Sequence, residues 1–88
     1  MRFQFDPAKA ASNLKKHGVS FADAEGVFAD PLAAHRADPD AVGEERYVAL
    51  GQGNAGHVLV VVYTLRGNEI RPISARRATR LEVKAYER

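Results

Sequence analysis

Five arginines, Arg66, Arg71, Arg76, Arg77 and Arg80, fall in the stretch RGNEIRPISARRATR near the end of the chain. A guanidinium stays charged at ordinary pH and donates through a planar fork that matches a phosphodiester, so such a group can hold phosphate. Lys16, His17, Glu82 and Tyr86 carry groups able to pass protons. Together these residue types suit cleavage of an RNA strand. In that reaction a 2′-hydroxyl attacks the neighbouring phosphorus. The catalyst must grip the phosphate, take one proton, stabilise added negative charge and protonate the leaving 5′-oxygen. The spacing alone is not diagnostic. Basic clusters more often form a solvated or partner-facing surface, His17 before Gly18 suits a helix end, and Ser74 and Tyr86 suit backbone hydrogen bonding and cover of the core.

Most motifs with fixed catalytic spacing are missing: there is no P-loop, GxSxG, HExxH or calcium loop. His17, His35 and His57, even with Asp38 and Asp40, lack ligand spacing, so neither a metal nor another cofactor is expected. The chain has no cysteine, which excludes a disulfide scaffold and a thiolate metal site and fits a reducing cytoplasm. The opening MRFQFDPAKA lacks the apolar core of a signal peptide, and VLVVVY at 58–63 is far too short to span a bilayer, so no membrane association is expected.

Eighty-eight residues, 45% apolar and 27% charged, suit one folded domain over 1–88 rather than a disordered chain. RFQF at 2–5 alternates as a short edge or starting strand. Asp6 as N-cap, Pro7 at the first helical position and Gly18 as a left-handed stop predict a first helix, with Ala10 and Leu14 toward the core. Ser20 and Asp23 in capping spacing, the stripe Phe21, Ala24, Val27 and Phe28, and Pro31 predict a second. Leu32 to Arg36 suits a strand, and DPDAVG an exposed, flexible loop. A meander follows at 46–52, 57–65 and 68–75, with Gly67 and Asn68 in a tight turn and Pro72 marking an edge or a bulge. Val58 to Tyr63 is apolar on both faces and predicts a central strand covered on both sides. Thr79 and Glu82 then open a short terminal helix with Leu81 and Ala85 on one side. The expected class is α+β: strand, two helices, antiparallel sheet, helix.

Net charge is +2, but it is unevenly spread: residues 1–21 sum to +3, 22–45 to −6, 46–65 to +1 and 66–88 to +4. Such a dipolar chain can turn a cationic face to a polyanion, or its two signs can pair within the fold.

The runs FDPAKAASNLKKHGVSFADAEGVFADP, GEERYVALG and VVYTLRGNEIRPISARRATRLEVKAYE cover nearly the whole chain. Their combination of D-P-x-K, N-x-x-K-H-G-V-S-F, D-P after the second helix, G-E-x-R and R-G-x-x-I-R-x-I-S-A-R-x-A resembles the BrnT toxins of bacterial type II toxin–antitoxin systems. The resemblance implies a RelE-like α+β fold and a metal-independent endoribonuclease that inhibits translation and growth. It also implies neutralisation by a BrnA-like antitoxin, in a toxin–antitoxin hetero-oligomer that reaches DNA only through the antitoxin. Matching positions are Lys16, His17, Gly18, Glu45, Arg46, Arg66, Gly67, Arg71, Ser74, Ala75, Arg76, Glu82 and Tyr86. Gly18 and Gly67 fit turns, and Glu45 and Arg46 a structural ion pair. The expected catalytic set is Lys16, His17, Arg66, Arg76, Glu82 and Tyr86, with Arg66 and Arg76 together on the scissile phosphate. Arg71, Arg77, Arg80 and Ser74 are expected to bind RNA. Gln4-Phe5 replaces the acidic residue and tryptophan common in relatives, and Pro72 an apolar β-former. The alternative is a non-catalytic or degenerate regulatory module whose basic face binds a partner.

Overall fold

A computed structural model describes residues 2–88. Five strands form one sheet in the order β1-β5-β4-β3-β2: β1 Arg2–Phe3, β2 Ala34–Ala37, β3 Tyr47–Gln52, β4 Val58–Arg66 and β5 Glu69–Arg77. β1 runs parallel to β5 and pairs only with Glu69 and Ile70, whereas the other neighbours are antiparallel. The short β1 leaves most of the outer edge of β5 without a strand partner. The α+β class and the predicted order of elements agree with this arrangement, and β4 is the predicted central strand.

Helix α1, Pro7–His17, forms where its end signals predict: the Asp6 carboxylate accepts from the Ala8 N–H at 3.0 Å. At the other end Gly18 adopts φ 70°, a conformation cheap only for glycine, and its N–H donates to the Leu14 carbonyl at 2.8 Å. The predicted core stripe is shifted, however. Leu14 is 51% exposed, while Asn13 beside it is buried. The reason is hydrogen bonding. The Asn13 carboxamide donates to the carbonyls of Val19 and Ala75, each at 2.9 Å, and accepts from the Ala75 N–H at 3.0 Å. It therefore engages the Ala75 peptide groups on the open edge of β5 as a neighbouring strand would, which satisfies polar groups that burial would otherwise leave unpaired.

The second predicted helix is shorter and tighter than its apolar stripe suggests. α2 spans only Phe21–Ala24 and continues as a 3-10 turn over Glu25–Ala29. The β3–β4 loop draws on its carbonyls: the Asn54 N–H donates to the Asp23 carbonyl at 3.0 Å and the Asn54 side chain to that of Ala22 at 2.9 Å. Gly26 allows that approach, since a Cβ there would stand 2.5 Å from the Asn54 nitrogen. Together Val19, Phe21, Ala24 and Val27 bury against Ala49, Leu59, Val61, Tyr63, Ile70 and Ala75 of the sheet. Each of the largest, Phe21 and Leu59, contributes roughly 1.5–3 kcal/mol by leaving water.

Helix α3, Arg80–Tyr86, lies on the opposite face of the sheet, where Leu81 and Ala85 share a groove with Leu50 and Val60. A capping box at Thr79 and Glu82 starts it as predicted, but Leu81 stays 79% exposed. The register of β4 and β5 shifts opposite Pro72, the residue predicted to interrupt the ladder. No helix of the described residues is long and apolar enough to cross a membrane.

Replacing Asn13 by leucine should destabilise the protein by roughly 2–4 kcal/mol, because it orphans buried groups of Ala75 and Val19. Urea denaturation measures this, and a loss below about 0.5 kcal/mol would show that the buried carboxamide is not the tie described here.

Candidate active site

The Asn13 tie lays one face of α1 along the open edge of β5. Lys9, Ser12, Asn13, Lys16 and His17 follow helical spacing and, with Ile73 and Ser74, line a groove of about 230 Å³. A second groove of about 380 Å³ continues it, formed by Lys9 with Arg71, Pro72, Gln4, Phe5 and Asp6. Lys9 belongs to both, so the two make one cationic seam. Asp6 is the one acid among its lining residues, with its carboxylate occupied as the α1 cap, and Arg71 at the far end is paired with Glu69 at 2.8 Å. Lys15, Lys16 and His17 occupy the last turn of α1, where the helix dipole favours positive charge.

Arg76 lies two residues beyond Ser74, on the same face of β5, at a separation of about 7 Å. Its guanidinium is clasped by Glu82 in a fork, Nη1 to Oε1 at 2.8 Å and Nη2 to Oε2 at 2.9 Å. Glu82 also accepts from the Thr79 N–H at 2.8 Å, so one carboxylate both caps α3 and aligns Arg76. The Arg76 hydrogen bond, reinforced by Thr79, holds the Glu82 carboxyl down to about 2, while Glu82 pushes Arg76 above its ordinary value. A carboxylate held that low accepts a proton poorly near neutrality. At the far end of α3 the Tyr86 hydroxyl donates to Asp30 Oδ2 at 2.6 Å. Asp30 accepts also from the N–H groups of Gln52 and Leu32, and these bonds lower its carboxyl, that of Gln52 most, while the Asp30 bond raises the Tyr86 phenol.

The expected residues thus divide. Lys16, His17 and Ser74 share the seam, Arg71 lies at its other end, and Arg76, Glu82 and Tyr86 follow around β5 onto α3. Arg66 does not join them. Arg76 pairs with Val60, six residues from Arg66 along β4, a separation of about 20 Å at about 3.3 Å per residue. With their backbones that far apart and each guanidinium turned to a different carboxylate, Arg76 to Glu82 and Arg66 to Glu44, the two do not converge on one point. Arg66 instead meets the exposed Glu44 at 3.5 Å. Arg77 turns to the His57 ring, with Nη2 2.6 Å from Nδ1, and Arg80 is exposed at the start of α3. The expected Glu45–Arg46 pair does not form among the described residues, because Glu45 accepts from the Tyr47 hydroxyl at 2.9 Å.

Two residues had no place in the expected set. Asn13 opens the N-x-x-K-H-G-V-S-F motif and stands beside the predicted apolar stripe of α1, yet neither signal points to its partner on β5. Asp30 belongs to the D-P that follows the second helix, one of the matching motifs, but nothing local shows that it holds Tyr86, 56 positions later.

The Arg76–Glu82 clasp carries a pH signature. Glu82 has a depressed value in the folded state, so its contribution is present above its ordinary 4.5 and is lost as pH falls toward about 2. Solvent screening of this half-exposed pair reduces the contribution to about 1 kcal/mol. Glu82→Gln should lower the melting temperature by about 4–8 °C at pH 7 and by much less at pH 2.5. An equal loss at both values contradicts the clasp.

The family model described as "Ribonuclease toxin, BrnT, of type II toxin-antitoxin system" matches residues 5–82. The fold is similar to the crystal structure of the Brucella abortus ribonuclease toxin BrnT, with a TM-score of 0.68 and 27% sequence identity over 91% of this chain and 99% of that one. No curated protein matches the chain significantly. On the strength of the family match across 5–82, this chain belongs to the BrnT family of ribonuclease toxins of type II toxin–antitoxin systems.

Proposed function

We propose that the chain is a metal-independent endoribonuclease of the cytoplasm that cuts single-stranded RNA along the α1–β5 seam and so stops translation and growth. The observation that carries this is the apposition of Lys16 and His17 to Ser74 in one cationic groove, with Arg76 about 7 Å farther along β5. Bound there, the RNA backbone meets Lys9, Lys16 and Arg71, and Ser74 offers a hydroxyl to a phosphate oxygen. His17 takes the 2′-hydroxyl proton as the 2′-oxygen attacks phosphorus. Lys16 stabilises the charge that accumulates, and Arg76 adds to it by exchanging the Glu82 carboxylate for phosphate oxygens. The P–O5′ bond breaks and the 5′-oxygen leaves with a proton, drawn from the His17 imidazolium or from water. Tyr86 acts through Asp30 by fixing α3, and Glu82 by aligning Arg76. The groove of Lys16, His17 and Ser74 offers ammonium, imidazole, hydroxyl and amide groups, a donor set poorly suited to Mg²⁺.

The partner is a BrnA-like antitoxin that covers the same cations with acidic side chains, in a hetero-oligomer that meets DNA through the antitoxin alone. Arg66, Arg77 and Arg80 lie away from the cleavage point and serve, at most, flanking RNA.

Purified protein should cleave RNA in excess chelator and leave 2′,3′-cyclic phosphate and 5′-hydroxyl ends. Lys16→Ala, His17→Ala and Arg76→Ala should each slow cleavage about a hundredfold and relieve growth inhibition without unfolding the protein. Cleavage that stops with chelator, or 5′-phosphate ends, contradicts the mechanism. Tight antitoxin binding with no cleavage at all would identify a purely regulatory module.

A further inference from the structure

A row of aromatic rings leaves the cationic seam and ends at a separate hollow. Phe5, 42% exposed, lines the same groove as Lys9 and Arg71. From it the ring centroids step to Phe3 at 6.0 Å, to Phe28 at 5.6 Å and to the exposed His35 at 5.7 Å. Phe28 and His35 then wall a hollow of about 380 Å³ with Tyr63, Leu65 and Ile70. This volume falls in the range of small-ligand sites. Its polar feature is the contact of His35 Nδ1 with the Tyr63 hydroxyl at 2.9 Å. Arg66 follows Leu65 at the end of β4, with its side chain 61% exposed.

We infer that this row and its terminal hollow form a stacking platform for unpaired nucleobases flanking the cleaved bond, resting on the ribonuclease reading above. Partly exposed rings beside a cationic track are what single-stranded RNA needs, since every base has a face to stack and every phosphate needs a cation. One base enters the hollow against Phe28 and His35, where the imidazole and the Tyr63 hydroxyl can bond its edge. The RNA backbone passes over the β4–β5 turn, within reach of Arg66. That gives Arg66 a task apart from the scissile phosphate.

The test uses an uncleavable 2′-O-methyl RNA strand carrying one 2-aminopurine, moved position by position, with fluorescence reporting stacking. The parent protein should quench the probe at two separate positions, one stacked on Phe5 and one entering the hollow at His35. Phe5→Ala and His35→Ala alter exposed residues, and each should weaken binding about tenfold and relieve quenching at its own position. Lys16→Ala should weaken binding but leave quenching at saturation unchanged. The inference is overturned if the parent binds no strand or quenches at no position, or if both aromatic variants, folded by circular dichroism, behave as the parent. A parent that quenches but does not cut the unmodified strand supports the platform and sinks the ribonuclease reading.

Discussion

The tie between the Asn13 carboxamide and the Ala75 peptide groups is the constraint on which the rest of the site depends. β1 covers only the first two residues of β5, so the edge beyond is open to water or to another strand. Asn13 occupies that edge with a donor and an acceptor from one buried side chain, and its second donor hydrogen reaches the Val19 carbonyl just past the helix. Helix, chain exit and strand are thereby fixed relative to one another. Because Lys16 and His17 are one turn beyond Asn13, their position beside Ser74 follows from that single contact.

Cations that would otherwise repel are kept in place by different means. On α1 the helix dipole and solvent exposure suffice. On β5 Arg76 is half-buried and needs a counter-ion, which α3 supplies as Glu82. α3 buries no residue fully, so polar ties to Arg76 at its start and to Asp30 at its end do much of the holding. A clasped arginine is oriented yet able to exchange its carboxylate for a phosphate. From the acidic segment 22–45 only Glu44 meets a cation, Arg66 at the surface, whereas Asp30 is held by the neutral Tyr86 hydroxyl and by backbone N–H groups.

Much of the fold was legible because its signals are local. Asp6-Pro7, Gly18, Ser20 with Asp23, and Thr79 with Glu82 each act within a few residues, and all four mark observed helix ends. Pro72 marks the shifted register because a missing N–H has the same consequence in any sheet. Long-range partners were not legible. Leu14 gave way to Asn13 because of Ala75, 62 residues away, and the second helix tightened because of Asn54. The separation of Arg66 from Arg76 follows from a local signal: once Gly67 and Asn68 make a tight turn, each residue leading away from it adds about 3.3 Å. Five clustered arginines in sequence therefore became dispersed groups in space, and the cations of α1 took their place beside the edge of β5.

The most direct test is to map where RNA lies by titrating an uncleavable 2′-O-methyl strand into ¹⁵N-labelled protein and following backbone amide shifts. The account predicts the largest changes along the seam, at Lys9, Lys16, His17, Ile73 and Ser74, and smaller ones in the acidic loop at 38–45, where Glu44 meets Arg66. Shifts confined to that loop, with the seam silent, would contradict it.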